Sequence, residues 1–379
     1  MNEMKKVPGR SQRAGTGWRA LGVSALVSVV VVGMGAVAGL ASASPASDIA
    51  KYTQRPNFVA PGKAFNVHSA KGKTVWIIPT TSQVPLVGQV EAATTAALKT
   101  VHVKTQLVTT TGQVPEWVTG INSAIAHKAA AIILLGISPS LVGPQLANAK
   151  KHHIPVVYTF AYQGQKVDRN VGGVVGIPYT LIAKVITEQA IADSGNKAHI
   201  AIINSGSDLP PQITMTSVIE STVAEQCPLT CSVEAVLQEP IAQWATNIQG
   251  DVQTALIAHP SINTIIPLSD TMSTWVIPAL AHANATSSVK IDTVDASPAF
   301  VADIGTGTVN ADMGWLNQWI GWASADQALR LMTGNRPVAN EHVPAVLFNS
   351  SNIANATGDL SGFFKSPYVN GYRKLWKTK

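Results

Sequence analysis

Serine, histidine and cysteine are the side chains of this 379-residue chain that could attack a carbonyl or hold a metal, and their spacing supports neither chemistry. Asn204-Ser205-Gly206-Ser207-Asp208 follows an apolar run, where a nucleophilic serine could sit, but it lacks the Gly-x-Ser-x-Gly frame of a strained strand-to-helix turn. His152 and His153 are adjacent, so they cannot share one helix face as a pair of metal ligands would, and they read as a polar helix end. Every other histidine is isolated in sequence, which leaves a Ser/His/Asp triad without support. Gly305-x-Gly307 has neither the third glycine nor the preceding strand of a dinucleotide loop, and no Gly-x-x-x-x-Gly-Lys phosphate cradle occurs. The two cysteines stand in Cys227-Pro228-Leu229-Thr230-Cys231, which is not a Cys-x-x-Cys redox motif and has no histidine pair to complete a zinc site. In an exported protein this spacing reads as one small disulfide stapling a turn. The residues themselves therefore support no catalytic constellation, metal site or cofactor loop.

Composition narrows the class further. The chain is 46% hydrophobic and 13% charged, against roughly 25% charged for an average soluble protein, which excludes disorder. The net charge of +6 suggests nucleic acid, but Lys5, Lys6, Arg10, Arg13 and Arg19 against Glu3 give the first 43 residues +4, leaving +2 for the rest. A nearly neutral body without a Lys/Arg stripe has no footprint for a phosphate backbone, so no nucleic-acid partner is expected. The basic start precedes an uncharged run from Ala20 to about Leu40 and then Ala41, Ser42 and Ala43, the layout of a secretory signal peptide over 1–43 cleaved near Ala43. A run of that length could also remain as an uncleaved membrane anchor. There is no cysteine near Ala43 to carry a lipid, so the predicted protein is exported, either secreted or at the cell surface.

Past a polar linker over 44–73, short apolar runs alternate with helical periods. Strands are predicted over 74–79, 101–109, 130–135, 154–160 and 171–176, with helices over 85–99 and 115–127 and after Pro139. The same arithmetic repeats with helices over 179–192, 213–226, 244–258 and 272–282 and strands over 199–204, 233–239, 262–268 and 289–294. A strand over 309–314, a helix over 318–332 and a strand over 343–348 complete the body, and the polar, aromatic-dotted residues 351–379 read as a surface extension. Two βα arrays in tandem predict an α/β protein of two doubly wound parallel-sheet lobes. Such lobes place ligands outside the carboxyl ends of their strands, on the loops that follow them.

The order of the motifs says more than any one of them. Thr74-Val75-Trp76-Ile77-Ile78-Pro79, Ala131-Ile132-Ile133-Leu134-Leu135, His153-Ile154-Pro155-Val156-Val157, Ala258-His259-Pro260 and Ile265-Ile266-Pro267-Leu268-Ser269-Asp270 follow one another as in the type I periplasmic binding proteins. More narrowly, the chain resembles the ribose-type sugar-binding components of ABC transporters, from about residue 74 to 348. The ending Gly371-Tyr372-Arg373-Lys374-Leu375-Trp376 is similar to the tails of longer members. The resemblance implies two lobes joined by a three-segment hinge, with the ligand cleft between them. It implies crossings near Gly176, at 295–297 and at 337–340. The first lobe would then be 74–176 plus 297–337, and the second 177–296 plus 338–350.

Site positions carry over from the resemblance one at a time. Thr81, Ser82, Gln83 and Leu86 stand in the loop where relatives have a polar residue and a pair of rings that clamp a sugar, with Leu86 and Val87 in place of the rings. Phe160-Ala161 replaces an Asp-Arg pair that grips hydroxyls, and a second arginine is missing where Pro211 and Gln212 fall. Ser269-Asp270 matches an Asn-Asp pair, Asp295 a turn aspartate, Trp244 a stacking aromatic and Trp315 a hinge glutamine. Asp270 could equally cap the helix beside it. Losing the Arg and one Asp removes charge-assisted bonds that orient a polyol. Phe160, Tyr162, Trp244, Trp275 and Trp315 offer ring faces instead, or belong in part to the core. The resemblance thus implies a monomeric solute-binding component that captures a small molecule, sugar-like or less polar, aromatic or alicyclic, and hands it to a membrane permease. The alternative is an extracytoplasmic sensor of the same fold that presents its ligand to a receptor kinase. A transcription regulator would need a helix-turn-helix where the leader stands, and an exported α/β hydrolase has no nucleophile motif.

Overall fold

Proline marks where several helices begin. Pro115, Pro144, Pro210 and Pro298 each stand in the first turn of a helix, where the missing N–H costs nothing and the fixed φ is already helical. The computed structural model describes residues 45–82, 84–162, 165–356, 360, 363 and 367–377. The leader over 1–43 and Gln83 therefore lie outside the described residues.

The elements run in chain order α1 (Pro45–Tyr52), β1 (Thr74–Pro79), α2 (Pro85–Lys99), β2 (Lys104–Leu107), α3 (Val114–Ala126), β3 (Ala131–Leu135), α4 (Gly143–Lys151), β4 (Val156–Ala161) and β5 (Gly173–Gly176). There follow α5 (Tyr179–Asp193), β6 (His199–Asn204), α6 (Pro210–Gln226), β7 (Ser232–Gln238), α7 (Trp244–Ala258), β8 (Thr264–Pro267), α8 (Ser273–His282) and β9 (Lys290–Asp295). The chain closes with α9 (Pro298–Thr306), β10 (Ala311–Trp315), α10 (Asn317–Met332), β11 (Ala345–Phe348) and α11 (Pro367–Leu375).

The strands form two sheets, one for each lobe. The first has the order β2-β1-β3-β4-β5 and is parallel throughout. The second has the order β11-β10-β9-β8-β6-β7 and is parallel except for β11, which runs antiparallel along β10. Strands β3 and β8 are buried along their whole length, as expected for a parallel sheet covered by helices on both faces. One buried apolar cluster runs through both lobes, from Val75 and Ile133 in the first to Ile200 and Met313 in the second. Two smaller clusters lie one in each lobe, around Ile121 and Leu146 and around Val252 and Val276.

Three boundaries expected from the sequence are corrected. Residues 297–337 do not all belong to the first lobe: β10 pairs with β9 (Asp312 beside Thr293) and with β11, so the chain leaves the second lobe at Trp315 and not at 295–297. Only α10 crosses back, and it lies against α2 so closely that a Cβ on Gly321 would sit 2.5 Å from that of Ala93. Periodicity predicts a strand but not which sheet it joins. Residues 44–73 are not a free linker, because α1 packs on α5 while Phe65 and Val67 are buried. Nor do the tail's aromatics wrap the surface: Phe363, Tyr368, Tyr372 and Trp376 are buried.

Candidate functional site

The carboxyl ends of both sheets collect the residues singled out from sequence. In the first lobe the loops after β1 and β2 are laced together: Ser82 N–H donates to Thr110 O (2.9 Å), Thr110 N–H to Ser82 Oγ (3.2 Å) and Thr110 Oγ1 to Pro79 O (2.9 Å). The Trp117 indole donates to Thr80 O (3.0 Å), fixing the root of that loop. Thr81 is half-buried, Ser82 is exposed, and Leu86 packs against the core. Phe160, the penultimate residue of β4, has φ at +70°, a conformation that L side chains rarely adopt. Its ring lies close to Gly136, where an added Cβ would stand 3.9 Å from Phe160 Cδ2 and 3.3 Å from Thr80 Cγ2. Tyr162 is half-buried, its N–H donating to Gln165 Oε1 (3.3 Å), while Gln165 Nε2 donates to the Tyr158 hydroxyl (3.1 Å).

In the second lobe three carboxyl groups converge: Asp270 from the turn after β8, Asp295 from the end of β9 and Asp312 from inside β10. Ser269 Oγ donates to Asp295 Oδ2 (2.8 Å), Ser297 N–H to Asp270 Oδ2 (2.7 Å) and Ala296 N–H to Asp312 Oδ1 (2.9 Å). The turn they hold is left-handed at Asp295 (φ 108°) and Ala296 (φ 51°). Backbone strain of this kind persists only where surroundings over-determine it, and here two aspartates and the closeness of Gly314 do so. A Cβ on Gly314 would fall 2.4 Å from the Asp295 carbonyl carbon. Burial raises all three carboxyls above their ordinary range; for Asp295 the charge of Asp270 adds to this, and for Asp312 the charges of both neighbours. Asp270 thus staples the turn after β9 rather than capping a helix.

The rings divide into two groups. Trp244 and Trp275 are half-buried and meet edge to face at 6.4 Å, with the Trp244 indole donating to Ser205 Oγ (3.1 Å) and Glu239 O (3.0 Å). Trp315 is 3% exposed; it meets Tyr179 edge to face at 5.7 Å and donates to Asn317 Oδ1 (3.0 Å), whose Nδ2 donates to Gln89 Oε1 (3.0 Å). It therefore packs two crossing segments together and ties them to α2. Gln212 is also spent internally, accepting from Ser205 N–H (2.7 Å) and donating to Leu268 O (2.5 Å). These bonds fix the loops after β6 and β8, which makes Gln212 a positioning residue.

Sequence reasoning missed Asp312, Tyr179 and Ser205. Asp312 had one available signal, an aspartate inside an otherwise apolar strand. The structure joins Cys227 to Cys231 with Cα atoms 5.4 Å apart. Among the described residues, no group of three His, Cys, Asp or Glu is placed to hold a metal ion, and no helix is long and apolar enough to cross a membrane.

Comparison with known proteins agrees with this architecture. The family model described as "periplasmic binding protein domain" matches residues 75–336. The 5-methylthioribose transporter solute-binding protein of Thermotoga lettingae, solved with 5-methylthioribose, superimposes with a TM-score of 0.69 at 17% identity, over 82% of this chain and 100% of its own. An ABC transporter solute-binding protein of Agrobacterium vitis with bound allitol gives 0.65 at 21% identity, over 75% and 98%. One from Burkholderia graminis with D-arabinose gives 0.67 at 17%, over 76% and 99%. No curated protein sequence matches. The family match spans more than two thirds of the chain, which belongs to the periplasmic binding proteins, a family whose members bind solutes and are not enzymes.

Proposed function

We propose that this chain is the extracytoplasmic solute-binding component of an ABC importer. It captures one small molecule between its two lobes and presents the closed form to a permease. The observation that carries this reading is the gathering of polar and aromatic side chains at the carboxyl ends of two separate sheets, where doubly wound lobes bind ligands. Contacts from both lobes exist together only when the lobes meet, so a ligand favours the closed state by its differential affinity for it; hinge closure of this protein class is a general precedent.

The ligand we infer is sugar-like but less polar than ribose. Phe160 stands where relatives carry a charged pair, and Gln212 is occupied by backbone. A polyol buried here would leave hydroxyls unpaired at about 1–3 kcal/mol each. Asp295 and Ser269 would accept and orient the hydroxyls that remain, while Phe160, Trp244 and Trp275 would cover the apolar part. The leader would direct export and be removed near Ala43.

The test is the thermal midpoint of the chain from Ser44 onward against pentoses, hexoses, deoxy and thio sugars, aromatic acids and alicyclic alcohols. A ligand at about 100 times its Kd adds about 2.7 kcal/mol and raises the midpoint. A rise confined to the less polar compounds supports both parts of the reading. A rise with pentoses or hexoses alone overturns the ligand class, and no rise with any compound overturns the binding role.

A further inference from the structure

Three segments join the lobes by the usual route: residues 176–179, 315–317 and 333–344. Two more connections are made by the ends of the chain. At the start, α1 lies on α5 of the second lobe, where Asp48 pairs with Lys184 at 2.6 Å and Thr53 O accepts from Asn352 Nδ2 at 3.0 Å. A few residues later Phe58 stacks on Trp319 of α10, which belongs to the first lobe, at 6.1 Å. At the other end the chain leaves β11 with Phe363 against Phe348 in the second lobe. It then returns to the first lobe through α11, and Trp376 just after that helix lies flat on Trp322 at 5.3 Å.

The two ends also hold each other and the third crossing. Phe58 packs on the Tyr372 ring at 5.1 Å and so closely over Gly371 that a Cβ there would fall 2.2 Å from it. Phe65 N–H donates to Leu375 O (2.8 Å). The Tyr372 hydroxyl donates to Glu341 on the crossing between α10 and β11 (3.1 Å), and the Trp376 indole donates to Asp326 (2.6 Å), which also receives Arg330 Nε (2.6 Å). Glu341 and Asp326 are 2% and 0% exposed, so these bonds are shielded from water, and breaking them leaves a buried polar group without its partner.

We propose that the two ends of the chain form a brace across the lobe junction that sets the resting angle between the lobes. Rotation of one lobe against the other must shear the contacts of α1 on α5 or those of α11 on α10. Five connections replace three, and a single angle between the lobes is favoured before any ligand is present. The inference does not depend on what the cleft binds.

The experiment is the distribution of distances between spin labels on the two lobes in the full chain, without ligand. Lys99→Cys on the first lobe and Glu220→Cys on the second are exposed sites, and the chain's own cysteines are joined to each other. The otherwise unaltered chain is expected to give one narrow distribution. Asp48→Lys, which sets two lysines against each other, should broaden it toward a second population, and Asp48→Lys with Phe58→Ala and Tyr372→Phe should broaden it further. If the triple variant does not fold, Asp48→Lys alone decides, since it alters one partly exposed pair. Identical distributions in folded variants, or a broad distribution in the unaltered chain, overturn the brace.

Discussion

Asp292 ties the stability of the second lobe to pH. It lies on β9 with no exposure; its Oδ1 accepts from Asn310 Nδ2 at 2.6 Å, and its Oδ2 has no hydrogen-bond partner. Burial pushes its carboxyl up to about 7; the Asn310 bond lowers it, Asp193 raises it and Lys290 lowers it. In the unfolded chain the same group titrates at about 3.9. The folded protein therefore keeps this proton to higher pH than the unfolded chain does. The contribution is fully present below about pH 4 and is lost as pH rises to about 7. Three pH units of separation correspond to about 4 kcal/mol in all, and to about 2.5 kcal/mol between about pH 5 and pH 8. Asp292→Asn keeps an acceptor for Asn310 and removes the titration. Urea unfolding of both proteins, followed by tryptophan fluorescence at the two pH values, isolates this group, because the other buried carboxyls are common to both. The variant should gain about 2.5 kcal/mol on the parent between about pH 5 and pH 8. A stability difference that is the same at both pH values refutes the reasoning.

Gly314→Ala should destabilise by about 1–3 kcal/mol or more, because the new methyl meets the Asp295 and Ala296 backbone and side chain rather than a yielding side-chain tip. Gly250→Ala in α7, where nothing lies within 4 Å, should instead stabilise by about 0.5–1 kcal/mol, and urea midpoints compare the pair directly. Replacing Cys227 and Cys231 by serine frees a short loop and should cost about 2 kcal/mol in the same assay; non-reducing mass analysis of the exported parent should find it two hydrogens lighter than the dithiol. Trp376→Ala should cost about 3–5 kcal/mol, since it removes a buried ring and the indole bond to Asp326.

Much of the fold is legible because a fully buried parallel strand leaves a distinctive mark. Ala131–Leu135 is an uninterrupted apolar run between helical periods, and Thr264–Pro267 is buried throughout and apolar after its first residue. What sequence did not reveal depends on partners distant in the chain. Nothing local to residues 311–315 says that they pair with β9 and β11, and so the crossing was expected about twenty residues early. Helices α1 and α11 are short and polar in texture and α9 is only nine residues long, although Tyr368, Tyr372 and Trp376 recur every four residues and so mark one helical face. The candidate site was partly legible. Ser269, Asp295 and Phe160 do lie at or just past strand ends and Trp244 opens the helix after β7, but the trio Asp270, Asp295 and Asp312 is assembled from two strands and the turn after a third, and no spacing announces it. Trp315 and Gln212 were expected to face a ligand, and their polar atoms are bonded within the protein.

The central claim is that a solute sits among these side chains. Its most direct test is calorimetric titration of the most stabilising compound from the thermal panel into the unaltered chain and into Trp244→Ala, side by side. The account predicts one site per chain and an affinity at least about tenfold weaker in the variant, or about 1.4 kcal/mol. Equal affinity in a variant that keeps its fold would contradict it and place the solute elsewhere.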